Sequence, residues 1–277
     1  MPESDPSPFA ICFEAALIGI GCLLIWRLVL SSRARASRSP AALAPWAIPG
    51  SDFLLFLLFV VCGGIVLPMV AFWLMVHSSL DSDARMIATA AAFQMGLLAG
   101  IAGFHFGFSR AAPTLAADPR AALTTGVATF FITMPVLAVV SLVWQKGLDL
   151  FGLPVEKQDL MDLFVNTHSP VLRGILIVCA VLVAPITEEF IFRWGLFRYL
   201  RGRVPRWLAL AGPAVLFGAL HVTWKTLDGL AALAPLAALG IVFSLAYERT
   251  GRISTAMVAH ALFNLNTVVL ILAGVNV

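Results

Sequence analysis

Residues 171–200 read VLRGILIVCAVLVAPITEEFIFRWGLFRYL, and this stretch decides the class of fold. It is long enough to cross a bilayer, because a membrane-spanning helix needs about 20 predominantly apolar residues. Yet it also carries two adjacent acids, Glu188 and Glu189, and a basic residue, Arg193. A carboxylate at the centre of such a helix costs roughly 2.5–3.5 kcal/mol on insertion scales, so these charges indicate a functional site.

The rest of the chain has the same apolar character. Hydrophobic residues make up 60% of the 277 residues and charged residues only 12%, whereas an average soluble domain is about 45–50% apolar and about 25% charged. This composition excludes a soluble globular protein and a disordered one. The net charge of +3 gives no basis for nucleic-acid binding. The four cysteines have neither the spacing of a disulfide framework nor that of a zinc ribbon.

The apolar stretches predict an all-α, polytopic membrane bundle of about eight transmembrane helices, in contact with the lipid bilayer. The predicted spans are 9–30, 53–76, 86–108, 121–144, 171–200, 206–223, 229–247 and 253–273. The seventh is the weakest prediction, because it is rich in alanine and is interrupted by Pro235.

Arginines concentrate in alternate loops of this predicted bundle, after the first, third, fifth and seventh spans. The positive-inside rule therefore predicts that both termini lie outside and that the arginine-rich loops lie in the cytoplasm. The compact chain and its Arg- and Ala-rich loops favour the plasma (inner) membrane of a bacterium as its location.

Three pairs of residues, each with at least one polar side chain, occur at i, i+4 spacing in the last third of the chain. Glu189 and Arg193 are four residues apart and share a helix face, while Glu188 lies about 100° further round. Pro185, one turn earlier, frees backbone carbonyl groups and bends the helix near the acids. The other two pairs are Phe217 with His221 and His260 with Asn264.

The predicted turns place these pairs at similar depth. A rise of 1.5 Å per residue puts Glu188 about 18 Å and His221 about 22 Å from the turn near residues 201–205. His260 and Asn264 lie about 11–17 Å from the turn at residues 248–252. All four side chains can therefore surround one cavity in the C-terminal half of the bundle, and we expect that cavity to be reached from the cytoplasmic side.

The motifs EExxxR, FxxxH and HxxxN, in this order, resemble those of the CPBP family, also called Abi. These are intramembrane proteases related to the type II CAAX prenyl endopeptidase. The resemblance covers about residues 170–270. It predicts a catalytic transmembrane domain at residues 166–277, and a variable N-terminal region at residues 1–165 with about four spans and an outer loop.

Peptide hydrolysis needs an activated water, an oxyanion stabiliser and a proton donor for the leaving amine. Glu188 and His221 can hold and deprotonate the water, and His260 and Asn264 can donate hydrogen bonds to the oxyanion. Glu189, paired with Arg193, would orient Glu188, and Phe217 would support the site. The resemblance implies the same assignment, in a peptidase that cleaves a membrane-associated or C-terminally anchored peptide or protein.

Two alternatives remain open at this point. Glu188, His221 and His260 are also the ligand set of a His₂Glu zinc site, but no HExxH helix supplies preset spacing, so we favour chemistry without a metal or another cofactor. The chain is alternatively a non-catalytic membrane immunity protein, or a proton-coupled transporter that uses the same buried Glu and His. A transporter would be expected to show an internal repeat with paired broken helices, and the sequence shows none.

Overall fold

The computed structural model of the chain describes residues 8–36, 41–108, 118–153, 167, 169–227 and 229–273. Within these ranges the chain forms nine helices and no β-sheet. In chain order they are α1 Pro8–Ile25, α2 Ser32–Ala36, α3 Gly50–Met75, α4 Ser82–Phe108, α5 Pro119–Leu150, α6 Pro170–Leu200, α7 Arg206–Ala219, α8 Leu230–Thr250 and α9 Ile253–Leu272. Most of the predicted outer loop, residues 154–166, lies outside the described part.

The predicted polytopic helical bundle is confirmed. Seven of the helices are long and apolar enough to cross a membrane. One of them is α8, whose Pro235 lies inside a helix that remains continuous over 21 residues. Many large apolar side chains on these helices are exposed, as expected where a protein surface contacts lipid.

The sixth predicted span, residues 206–223, differs in the structure. Helix α7 has 14 residues and ends at Ala219, so it is about 21 Å long and shorter than the roughly 30 Å hydrocarbon core of a bilayer. Turns follow, and Leu227 and Gly229 adopt positive φ angles of 63° and 76° just before α8. His221 therefore lies in a turn beyond the helix rather than inside it.

Glycines allow close helix packing between α3 and α4. A Cβ atom on Gly96 would lie 2.1 Å from the carbonyl oxygen of Gly63, and one on Gly100 would lie 2.3 Å from the carbonyl oxygen of Phe59. Small residues at such contacts let two membrane helices approach each other at backbone distance. Any larger side chain at Gly96 must push the two helices apart.

Residues 41–49 form an extended segment between α2 and α3, which we call the strap. Arginines at the end of α6 donate hydrogen bonds to its main-chain carbonyl groups. The bonds are Arg198 Nε to Ala44 O at 3.0 Å, Arg201 Nη1 to Leu43 O at 3.0 Å, Arg203 Nη1 to Trp46 O at 3.1 Å, and Arg203 Nη2 to Ile48 O. Trp46 is buried against Trp194, with ring centroids 4.3 Å apart. The strap thus ties the connection before α3 to the end of α6.

Buried apolar side chains form a cluster mainly between α5, α6, α7, α8 and α9. Its buried members include Phe192, Phe217, Phe243 and Ala259. These side chains surround Glu189 and Arg193, which are fully buried.

We predict that Gly96→Ala destabilises the folded protein by about 1–3 kcal/mol, because the added methyl group overpacks the contact between α3 and α4. Thermal unfolding in detergent should show a lower Tm than that of the unmodified chain. The matched control is Gly107→Ala on the same helix, where a Cβ atom meets nothing within 4 Å. Equal Tm values for the two variants would contradict the packing argument.

Candidate active site

Helix α6 changes its hydrogen-bonding register twice around the two acids. Residues Cys179–Val183 and Glu189–Phe197 are π-helical, and α-helical residues Ala184–Glu188 separate them. Such π-bulges inside α-helices frequently occur at functional sites. The change of register rotates the side chains that follow it, so the acids are presented differently from those of a regular helix.

Pro185 explains part of this irregularity. In the π register the carbonyl of Ala180 would accept a hydrogen bond from the residue five positions later, which is Pro185 and has no N–H. The freed carbonyl instead accepts a hydrogen bond from Asn264 Nδ2 at 2.7 Å. Pro185 therefore frees a backbone carbonyl near the acids, and this carbonyl holds α9 in register with α6.

Glu189 and Arg193 form a buried ion pair. Glu189 Oε1 lies 3.0 Å from Arg193 Nη1, and the side chains are 0% and 1% exposed. Neither Nη atom of Arg193 has a well-directed hydrogen bond to the described residues. The guanidinium instead lies over the rings of Phe217 and Phe243, 4.8 and 5.5 Å from their centroids. The carboxylate of Glu189 and the two aromatic rings thus compensate for the hydration that the Arg193 guanidinium loses on burial.

His260 joins this pair to Glu188. Its Nδ1 lies 2.8 Å from Glu189 Oε1, and because a carboxylate only accepts hydrogen bonds, Nδ1 carries a proton and donates it. Its Nε2 faces Glu188 Oε2 at 3.5 Å. The side chain of Glu188 is 18% exposed, so it is the most accessible charge of the four.

His221 lies near this cluster but is not part of it. Its Nδ1 donates a hydrogen bond to the carbonyl oxygen of Phe217 at 2.8 Å, and its Nε2 is not used in this bond. The Phe217 ring contacts both imidazoles, with centroids 4.8 Å from His221 and 6.0 Å from His260. Within the described residues, no ion pair joins His221 to Glu188 or Glu189.

The structure thus brings residues of the three motifs together and adds a contact that the sequence did not predict. Glu188, which has no ion-pair partner on its own helix, faces His260 Nε2 on α9. Glu189 pairs with Arg193 as expected and also bonds His260. The roles assigned to these side chains stay predictions.

The alternative zinc site can be compared with this geometry. Its ligands would be Glu188, His221 and His260, but only Glu188 and His260 are adjacent. Among the described residues, no group of three His, Cys, Asp or Glu side chains is arranged to hold a metal ion. In this conformation the residues do not fit a His₂Glu centre, and we derive no step through one.

A polar residue that the sequence analysis overlooked lies beside the acids. The hydroxyl oxygen of Thr187 is 2.6 Å from Gln94 Oε1, which connects α4 to the residue that precedes Glu188. Thr187 is fully buried. Gln94, an uncharged amide in the middle of the apolar α4, is the sequence signal for this contact.

Comparison with known families agrees with the motifs. Residues 170–266 match the family model described as type II CAAX prenyl endopeptidase Rce1-like, and this segment is about a third of the chain. A comparison with curated proteins and with solved structures finds no significant match. The resemblance to CAAX-type proteases is therefore confirmed for residues 170–266, the segment that contains every residue of the three motifs.

Proposed function

We propose that this chain is an intramembrane endopeptidase of the CAAX type. It hydrolyses a peptide bond of a membrane-associated or C-terminally anchored peptide or protein. The observation that carries this proposal is the linked cluster of Glu188, His260, Glu189 and Arg193. It lies in the segment that matches the protease family. Charges are rarely retained at such depth without a function.

In the proposed reaction Glu188 is the general base. Its partly exposed carboxylate removes a proton from a water molecule, which attacks the scissile carbonyl carbon, and the proton then passes to the leaving amine nitrogen. His221 holds the same water, because its Nε2 is an acceptor while Nδ1 is occupied by Phe217 O. Glu188 and His221 need not touch for this role, since the water lies between them.

His260 and Asn264 stabilise the oxyanion in the proposed reaction. Protonated His260 Nε2 is a donor next to Glu188, and preorganised donors at a dry site stabilise developing negative charge strongly. Glu189 acts as a positioning residue, because its hydrogen bond from Nδ1 fixes which nitrogen of His260 faces the site. Arg193 in turn holds the Glu189 carboxylate in place.

The arginine-rich loops support the proposed orientation. Arg198, Arg201, Arg203 and Arg206 lie at or just after the end of α6, and Arg249 and Arg252 lie at the end of α8. By the positive-inside rule these ends face the cytoplasm, which places both termini outside. We accordingly propose a bacterial plasma membrane protein whose site is entered from the cytoplasmic side.

The first test is Glu188→Gln, which keeps the shape of the side chain and removes the base. Loss of a general base typically lowers the rate by about 10²–10⁴-fold. Comparative peptidomics of membranes should therefore show peptides that are released with the unmodified chain and absent with the variant. Glu14→Gln in α1 is the matched control and should release them normally.

Two outcomes contradict this proposal. Unchanged release with Glu188→Gln would exclude Glu188 as the base. If no peptide depends on the unmodified chain, while immunity or transport is lost with the same variant, the non-catalytic alternatives are favoured instead.

A second test separates the stabilising and positioning roles of Glu189. Glu189→Met leaves the charge of Arg193 buried without its partner, so we expect a loss of about 3–5 kcal/mol in stability. Adding Arg193→Met removes that charge and should restore most of the stability. Peptide release should nevertheless stay low in the double variant, because His260 Nδ1 has lost its acceptor. Recovery of both Tm and peptide release would show that Glu189 has only a structural role.

A third test concerns metal. The proposed roles use carboxylate, imidazole and amide groups alone, so peptide release should persist after treatment of the purified protein with EDTA and 1,10-phenanthroline. Elemental analysis should show well below one zinc ion per chain. The control is a known zinc protease in the same detergent. Stoichiometric zinc, together with loss of activity that added zinc restores, would favour the His₂Glu alternative.

A further inference from the structure

Gln94 places an amide group inside the apolar helix α4, about halfway between Ser82 and Phe108. One end of this amide bonds the Thr187 hydroxyl at 2.6 Å. That hydroxyl has a single proton and also contacts two backbone carbonyls of its own helix. Whichever way the amide is turned, its other end has no partner among the described residues, and an unpaired amide is unfavourable at this depth in a membrane.

The depth of Gln94 follows from the contacts between helices. Ile87, Leu176 and Val268 form one buried cluster, which puts α4, α6 and α9 at a common level. Gln94 is seven residues, about 10 Å, further along α4 than Ile87. His260 is eight residues, about 12 Å, before Val268 on α9. The contacts Gln94–Thr187 and His260–Glu188 show that both positions reach the same part of α6. Gln94 therefore lies at the level of the two acids.

Asn264 is in a similar situation on the other flank of α6. Its Nδ2 donates to the carbonyl of Ala180, and the structure gives its Oδ1 no partner among the described residues. Two side-chain amides thus flank the acids, one on α4 and one on α9. Each is held by a single bond to α6 and has an unused polar end.

The geometry points to Gln94 as a substrate-binding residue, whose free amide end bonds the main chain of the substrate next to the scissile bond. This inference rests on the proposed function. When a substrate enters the bundle, its peptide groups lose their hydrogen bonds to water and need partners from the protein. The described part of the protein has no sheet edge that could pair with an extended peptide. A glutamine amide can donate or accept, so it pairs with a peptide group whatever the substrate side chain is.

The test compares Gln94→Leu, Thr187→Val and the double variant, with Gln145→Leu on the exposed face of α5 as the control. The probes are the peptides whose release from membranes depends on Glu188. A precursor synthesised to match the most abundant of them then gives kcat and KM. We expect Gln94→Leu to lower kcat/KM about 10-fold, mainly through KM, because a peptide group of the substrate is left unpaired.

The double variant decides between binding and packing. If Gln94 binds substrate, Gln94→Leu lowers kcat/KM by the same factor whether residue 187 is Thr or Val. If it only supports Thr187, Gln94→Leu has no further effect once the hydroxyl is gone, and the inference is wrong. Unchanged kinetics for Gln94→Leu would also overturn it. Failure of the proposed function gives a different result from failure of this inference, because the release of no peptide would then depend on Glu188.

Discussion

The buried carboxylate of Glu189 is the constraint on which the arrangement of the site depends. It is fully enclosed, yet it contacts both Arg193 on its own helix and His260 on α9. A buried charge that loses a partner is strongly destabilising, so α6 and α9 can pack only in a register that keeps these contacts. The aromatic rings of Phe217 and Phe243 then fix α7 and α8, because they cover the guanidinium of Arg193.

The two neighbouring acids differ in their surroundings. Glu189 is enclosed and neutralised, whereas Glu188, one residue earlier, keeps a partly exposed carboxylate beside His260 Nε2. Adjacent residues on a helix point in directions about 100° apart, so one helix can bury one acid completely and leave the other partly exposed. The π-helical segment that begins at Glu189 allows this without unwinding α6. Two chemically identical side chains on adjacent positions thus have different burial and different partners.

Much of this architecture could be predicted from the sequence, because the relevant signals are local. Apolar runs of sufficient length identify the spans, and the spacing of Glu189 and Arg193 predicts their ion pair. The contact between Glu188 and His260 could not be predicted in the same way, because it depends on the rotation of α6 and α9. The end of α7 before His221 was also missed, because hydropathy does not show that the polar segment after Leu220 forms turns.

The N-terminal half contributes more to the site than its lack of motifs suggests. Trp46 of the strap packs on Trp194, the residue after Arg193, and Gln94 reaches the residue before Glu188. Both contacts are made with residues of α6 that adjoin the charged cluster in sequence. Thr187 comes directly before its first acid and Trp194 directly after its arginine. Neither requires a recognisable motif, since one needs only a large aromatic surface and the other only a polar atom in an apolar helix. The N-terminal half therefore helps to position the part of α6 that carries the acids, through Trp46 at one end of the charged cluster and Gln94 at the other.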